Sequence, residues 1–364
     1  MATPYSLSQA AADSQIGGTN LPQDVKDAIL EALDQLAADQ DIDVVDNWRP
    51  GDPIPQGTDI LIVKPDQTGQ TLSADFDVAS ATAPHPVVAI PGGIPITIVE
   101  STHDMTVTVQ GSTPGVVQLG SGDDFLAVRP DAQGDRTIFG GDGSDTIFGG
   151  NGNDTISGGA GDDSIVSGSG DDHLVIADGS DTVDAGIGFD LAEVMGSIKD
   201  AAWQGGELNV TTFSGGHAAI AGAEYVQFED GVIIVADTPD LGVVARMYDT
   251  LLDRQGDAGG VKYWTDVFET GHASLHDIAQ AFLDSAEYRG AHEDLSNAQF
   301  VDSLYEALFG RHPDAEGHAY WTGLLDGGQA SRADIVVSFA SSAEGEDMTA
   351  KTIHIVSDDD HHQA

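Results

Sequence analysis

Aspartates recur with a period of nine in the middle of the chain, at Asp145, Asp154, Asp163, Asp172, Asp181 and Asp190. Each is the sixth residue of a nonad: GGDGSDTIF from Gly140, GGNGNDTIS from Gly149, GGAGDDSIV from Gly158, SGSGDDHLV from Ser167, IADGSDTVD from Ile176 and AGIGFDLAE from Ala185. An earlier copy, LGSGDDFLA from Leu119, puts Asp124 at the same place. A copy ending QGDRTIF comes three residues late and carries Arg136 instead of aspartate. Carboxylates beside glycine-rich loops suit a hard cation. Calcium takes about six to eight oxygens, many of them main-chain carbonyls, and it tolerates irregular geometry. Glycines at the first, second and fourth positions supply the loop: Gly140, Gly141 and Gly143; Gly149, Gly150 and Gly152; Gly158, Gly159 and Gly161; then Gly168 and Gly170. Without a Cβ they reach positive φ and let carbonyls turn inward.

The block from Leu119 to Glu193 resembles the RTX (repeats-in-toxin) nonapeptide family, G-G-x-G-x-D-x-U-x with U a large apolar residue. The resemblance implies a parallel β-roll with calcium held between successive turns, two nonads to a coil. Residues seven to nine of each nonad then form a short strand, with Ile147, Ile156, Ile165, Leu174 and Val183 pointing inward. Each ion is shared by aspartates 18 residues apart: Asp145 with Asp163, Asp163 with Asp181, Asp154 with Asp172, and Asp172 with Asp190. At least four calcium ions are therefore expected. Arg136 spoils the next site upstream, because its cation takes the place of a ligand. One inward aliphatic per nine residues does not offset the entropy of ordering nine backbones, so the block is expected to stay extended until cations bind.

The elements around the repeats set the architecture, expected to be multi-domain α+β: a parallel β-roll flanked by an N-terminal helix plus β-rich region and a C-terminal all-α tandem-repeat domain. Residues 1–40 hold one helix, with Asn20 as cap and Val25, Ile29, Leu30, Leu33 and Leu36 at helical spacing. Residues 41–118 alternate proline breakers with β-branched runs and read as short strands. Val99, Thr108, Val117 and Leu126 stand nine apart, which carries degenerate coils back to about residue 95. Asp39, Asp41 and Asp43 have calcium-loop spacing, but Val44 stands where such a loop needs glycine, so a solvated helix end is expected. The β-roll occupies 119–193, and a β cap occupies 194–236, with Phe213, Tyr225 and Phe228 closing the roll.

Residues 237–350 contain a second repeat at an offset of 57. Tyr248, Leu251, Arg254, Asp257, Gly260, Tyr263 and Trp264 recur as Tyr305, Leu308, Arg311, Asp314, Gly317, Tyr320 and Trp321. Downstream, Asp277, Phe282, Ser285 and Glu287 recur as Asp334, Phe339, Ser342 and Glu344. Apolar spacing predicts two copies of a helical hairpin with Asp257 and Asp314 as N-caps and Arg254 and Arg311 paired to carboxylates. This segment resembles a helical repeat family of unassigned function found in secreted RTX and surface-layer proteins. Tyr263, Trp264, Tyr320 and Trp321 are expected to be structural, in the core; stacking on sugar rings is the other use such pairs have. The tail, 351–364, carries His354, His361 and His362 beside three aspartates and reads as solvated.

Composition narrows the function. The 364 residues carry 61 acidic and 13 basic side chains, a formal net charge of −48. Such a surface repels the phosphates of nucleic acid and anionic lipid. The absence of cysteine excludes disulfides and thiol chemistry. The stretch MATPYSLSQAAADSQIGG lacks the basic and apolar regions of a cleaved secretory signal, and no apolar run is long enough to be transmembrane. No G-x-S-x-G, H-E-x-x-H or phosphate-loop pattern occurs, so the protein is expected not to be an enzyme. The resemblance implies type I export and a secreted, extracellular or cell-surface location on a Gram-negative bacterium. The expected function is an extracellular calcium-binding structural protein that self-assembles, as a surface-layer, filament or biofilm-matrix subunit. A calcium-dependent adhesin or carbohydrate-binding module, with cell-surface polysaccharide as partner, is the alternative, and a secreted calcium-dependent hydrolase stands behind both.

Overall fold

The computed structural model describes residues 5–7, 23–35, 42–48, 60–63, 87–90, 93–99, 101–102, 104–292 and 295–356. The chain divides into two compact units, Met1–Ala223 with Gln227–Asp230, and Glu224–Val226 with Gly231–Ala364. Of the Asp39, Asp41 and Asp43 trio, Asp39 and Asp41 lie outside the described residues, as do His361 and His362.

The first unit contains helix α1 (Gln23–Gln35), where Ile29 is fully buried. Its early strands are β1 (Tyr5–Leu7), β2 (Ile42–Trp48), β3 (Ile60–Val63), β4 (Val87–Ile90), β5 (Ile96–Val99), β6 (Thr106–Val109), β7 (Gly115–Gln118) and β8 (Phe125–Val128). The nonads form β9 (Arg136–Asp142), β10 (Thr146–Asn151), β11 (Thr155–Ala160), β12 (Ser164–Ser169), β13 (His173–Ile176), β14 (Thr182–Asp184) and β15 (Leu191–Val194). Strands then alternate between two parallel ladders, β3-β5-β7-β9-β11-β13-β15 and β4-β6-β8-β10-β12-β14. This is a β-solenoid. Each nonad gives one strand because its seventh to ninth residues favour extended backbone, while its glycine loop turns the chain to the opposite ladder. Ile138, Ile147, Ile156, Ile165, Leu174 and Val183 fill the interior, none more than 2% exposed.

Coil length is uniform only within the nonads. Thr146 pairs with Ser164, 18 residues on, whereas Thr106 pairs with Phe125 and Phe125 with Thr146, across 19 and 21 residues. The expected nine-residue series therefore fails at Thr108. The 19-residue coil shifts the register by one, and Val107, not Thr108, is buried opposite Leu126. Parallel pairing also extends upstream of residue 95, to β2 and β3, where Val44 lies beside Ile60.

Strands β16 (Gly196–Gln204), β17 (Glu207–Thr212) and β18 (His217–Ala221) form an antiparallel meander, with β18 added in parallel to β14. Leu208, Val210 and Ile220 are buried in it. Phe213, expected to help close the roll, is instead 59% exposed, because it stands in the β17–β18 turn past the last ladder pair. The division between units falls within β19 (Tyr225–Phe228), whose Tyr225 and Phe228 are both buried.

The second unit pairs β20 (Gly231–Ala236) in parallel with β21 (Ile353–Ile355) and folds the rest into eight helices among the described residues. They are α2 (Pro239–Leu252), α3 (Ala258–Glu269), α4 (Leu275–Asp284), α5 (Ala286–Ala291), α6 (Asn297–Phe309), α7 (Ala315–Asp326), α8 (Arg332–Ala340) and α9 (Ala343–Thr349). Each copy of the 57-residue repeat is thus four helices rather than a hairpin. Ser285 and Ser342 break the chain, each capping a further short helix by accepting the N–H of Tyr288 or Gly345. Asp257 and Asp314 cap α3 and α7, accepting the N–H of Gly260 and Gly317 at 2.9 and 2.7 Å. Arg254 donates to Glu287 and Arg311 to Glu344, at 2.7 and 2.8 Å, in equivalent places. Phe282 lies edge-on to Tyr248 and beside Trp264, and Phe339 does the same with Tyr305 and Trp321. The tryptophans are half-buried. Tyr263 and Tyr320, expected in the core, are each 59% exposed, because α3 and α7 turn only their tryptophan face toward the neighbouring phenylalanine.

Candidate metal centre

Stacking nonads 18 residues apart lines up the sixth-position aspartates in two columns. Asp145 donates its main-chain N–H to Oδ1 of Asp163 at 2.9 Å, and Asp163 donates to Asp181 at 3.0 Å. Asp154 donates to Asp172 at 2.7 Å and Asp172 to Asp190 at 2.8 Å. Asp124 joins the first column across the 21-residue coil, donating to Asp145 at 2.8 Å. Each carboxylate is thus held by the backbone one coil earlier, and all six nonad aspartates and Asp124 are at most 5% exposed.

One oxygen of the carboxylate is used by the column and the other faces the loop. Oδ2 of Asp124, Asp145 and Asp154 is buried with no hydrogen-bond partner. The first-position glycines explain the space around it. A Cβ on Gly140 would stand 2.3 Å from both Asp145 Oδ2 and the Gly158 carbonyl oxygen. On Gly158 it would stand 2.1 Å from Asp163 Oδ2, and on Gly149 2.5 Å from the Ser167 carbonyl and 3.0 Å from Asp154 Oδ2. Carboxylate and carbonyl oxygens therefore face a small space that Gly140, Gly149 and Gly158 leave open. Gly143, at φ 122°, shows the second demand: its loop conformation is closed to L side chains, and a Cβ would meet the Gly122 oxygen at 2.1 Å. Ser167 stands in the first position of the next nonad, and its hydroxyl donates to the Ala185 carbonyl.

Burial pushes Asp145, Asp154 and Asp190 up to about 7 and Asp124 and Asp163 up to about 6. Neighbouring carboxylates add to the rise, Asp163 acting on Asp145 and Asp172 on Asp154, against the lowering effect of the backbone N–H bonds. Asp172 and Asp181 are raised by burial as well. A column of buried acids with unused oxygens is unfavourable when ionised unless a cation joins it. Among the described residues no three His, Asp or Glu side chains form a preassembled metal cluster. The donor set is one of paired carboxylates and main-chain carbonyls, which suits calcium rather than zinc or another nitrogen- and sulfur-seeking ion. Residues that would hold it are the sixth-position aspartates and the loop carbonyls beside Gly140, Gly149 and Gly158. The remaining loop glycines, Gly141, Gly150, Gly152, Gly159, Gly161, Gly168 and Gly170, all have positive φ in the same turns.

A second ladder escaped the sequence reading. The fifth-position side chains accept main-chain N–H groups one coil later, in the opposite sense to the buried columns. Ser144 donates to Asp123, Asn153 to Asp135, Asp171 to Asn153, Ser180 to Asp162 and Phe189 to Asp171, at 2.8–3.0 Å. The signal was present as paired letters, Asp123-Asp124, Asn153-Asp154, Asp162-Asp163 and Asp171-Asp172. Arg136 heads the second column and donates its N–H to Asp154 at 2.8 Å.

Fold and site together define a calcium-binding β-solenoid joined in one chain to a tandem helical repeat. Two family models agree with that class: the RTX calcium-binding nonapeptide repeat (4 copies) matches residues 139–174, and the Domain of unknown function (DUF4214) matches 235–292 and 279–348. The chain carries an RTX calcium-binding nonapeptide-repeat region and a C-terminal DUF4214 tandem helical-repeat region. Comparison with curated proteins gives no match. The RTX association is with extracellular, secreted proteins. No helix among the described residues is long and apolar enough to cross a membrane.

Proposed function

We propose that this is an extracellular calcium-binding structural protein whose roll folds on calcium and whose folded form self-assembles into a surface-layer, filament or biofilm-matrix subunit. The observation that carries the reading is the pair of buried aspartate columns with carboxylate oxygens turned toward glycine-lined carbonyl loops. At least four ions are assigned, one to each aspartate pair 18 residues apart, and the Asp124–Asp145 pair offers the same arrangement. Assembly is supported by charge: at −48, chains repel one another until divalent ions neutralise the roll and bridge surface carboxylates. Light scattering of the full chain against calcium tests it. Growth in particle size with calcium but not magnesium supports assembly, and a chain that folds yet stays monomeric contradicts it.

A second reading, a calcium-dependent adhesin that binds cell-surface polysaccharide, is favoured by one feature. Tyr263 and Tyr320 are equally exposed on α3 and α7, each edge-on to its tryptophan at 4.9 Å. Tyr263→Ala with Tyr320→Ala would abolish polysaccharide retention under the second reading and leave scattering growth unchanged under the first.

A further inference from the structure

Arg136 differs from every other residue in its column. It takes the sixth position of its nonad and its N–H makes the bond to Asp154 that repeat aspartates make, yet its side chain is a cation and only 3% exposed. The guanidinium turns back into the loops: Nη1 donates to the Gly134 carbonyl and Nη2 to the Gly111 carbonyl, the latter at 2.7 Å. Gly134 stands in the fourth position of its nonad, as Gly143 and Gly152 do in theirs. Main-chain loop oxygens of two successive coils are thus satisfied by a positive charge that belongs to the chain itself. Guanidinium keeps that charge at any physiological pH.

The coils on either side of Arg136 are built differently. From β9 to β12 the residue two places after the inward aliphatic is small: Gly140 after Ile138, Gly149 after Ile147, Gly158 after Ile156 and Ser167 after Ile165; at β13 it is again a buried aliphatic, Ile176 after Leu174. Upstream that place holds a second buried aliphatic: Val109 after Val107, Leu119 after Val117, Val128 after Leu126, none more than 7% exposed. Where β9 to β12 leave a cradle for an ion, the strands from β6 to β8 put hydrocarbon. Each added aliphatic stabilises its coil by removing apolar surface from water. The upstream coils therefore have two substitutes for calcium, an internal cation at their downstream boundary and a second layer of apolar side chains.

We propose that Arg136 is a built-in replacement for a calcium ion, so that the coils from β5 to β9 fold without calcium and act as the template on which the calcium-dependent coils from β10 onward stack. The stacking edge is already paired in the right sense, with β8 receiving β10 and β9 receiving β11 in parallel. In a solenoid each coil gains most of its stability from its neighbour, so a preformed end removes the cost of starting the array. The inference rests on the calcium-binding reading of the nonads, and the experiment separates the two.

The test is hydrogen exchange of the full chain, in chelator and in saturating calcium, with calcium stoichiometry by equilibrium dialysis, for wild type, Arg136→Gln and Arg136→Asp. In chelator, wild-type amides of β5–β9 should exchange at least about tenfold more slowly than those of β10–β14. Arg136→Gln should lose that difference in chelator but bind as much calcium as wild type. Arg136→Asp, which completes a pair with Asp154, should bind one ion more than wild type and make β5–β9 protection depend on calcium. Equal exchange of the two segments in chelated wild type, full chelator protection in Arg136→Gln, or a calcium-folded Arg136→Asp with no additional ion would each overturn the proposal. A wild type in which calcium protects nothing from β10 to β14 would instead overturn the calcium reading beneath it.

Discussion

At the scale of single residues, the site depends on a methyl group being absent. Gly140→Ala places a Cβ within 2.3 Å of a carboxylate and a main-chain oxygen, and the latter cannot swing away. Calorimetry should show one site weakened by at least about tenfold, as expected when a calcium ligand is displaced. Gly290→Ala, whose Cβ would meet nothing within 4 Å, should leave the titration unchanged. Aspartates rank by their place in the columns. Asp163 and Asp172 each bond to a coil on both sides, whereas Asp190 ends the counted pairs of its column. Asp163→Ala and Asp172→Ala should therefore each remove two ions in a stoichiometry measurement and Asp190→Ala one; equal losses would mean that ions are not shared between coils. The sixth-position residues were legible because their period never slips. The fifth-position ladder was not, because Ser144, Ser180 and Phe189 interrupt it where only a main-chain N–H is needed.

At the scale of elements, the buried columns couple folding of the roll to pH. The carboxyl group of Asp145 is raised from 3.8 to about 7 and those of Asp154 and Asp190 likewise, chiefly by burial. A raised group binds protons more tightly in the folded state. Its contribution to the calcium-free fold is complete below about pH 4 and is lost as pH rises through about 7. Circular dichroism in chelator should show β-structure increasing as pH falls from about 8 to 5, and the calcium needed for half-folding should fall over the same interval, because protons already stabilise the folded columns. A chelated chain with no pH response there would contradict the burial of these acids. The helical repeat should ignore calcium, since its order comes from packing. Phe282→Ala, at a side chain 4% exposed between Tyr248 and Trp264, should cost about 3–5 kcal/mol in chelator and in calcium alike, measured by thermal unfolding. Its tandem nature was legible at the 57-residue offset. The four-helix unit was not, because the apolar spacing runs on through Ser285 and Ser342 and only their capping bonds to Tyr288 and Gly345 mark the start of a further helix. The upstream coils were only partly legible, since coils of 19 and 21 residues break any fixed period.

At the scale of the whole molecule, a charge of −48 and two buried columns of carboxylates support the proposal that calcium is a structural component rather than a ligand added to a finished fold. Magnesium should not substitute, because it demands near-octahedral geometry and gives up its water reluctantly. The central claim is that the nonads from Thr146 to Val194 acquire their fold by binding calcium in the aspartate columns. It is tested most directly by titrating the chelated full-length chain with calcium at neutral pH, following far-UV circular dichroism and bound calcium on the same samples. The account predicts that β signal appears cooperatively as at least four ions bind, and that magnesium produces neither change. A β signal already complete in chelator, or calcium uptake with no change in the spectrum, would contradict it.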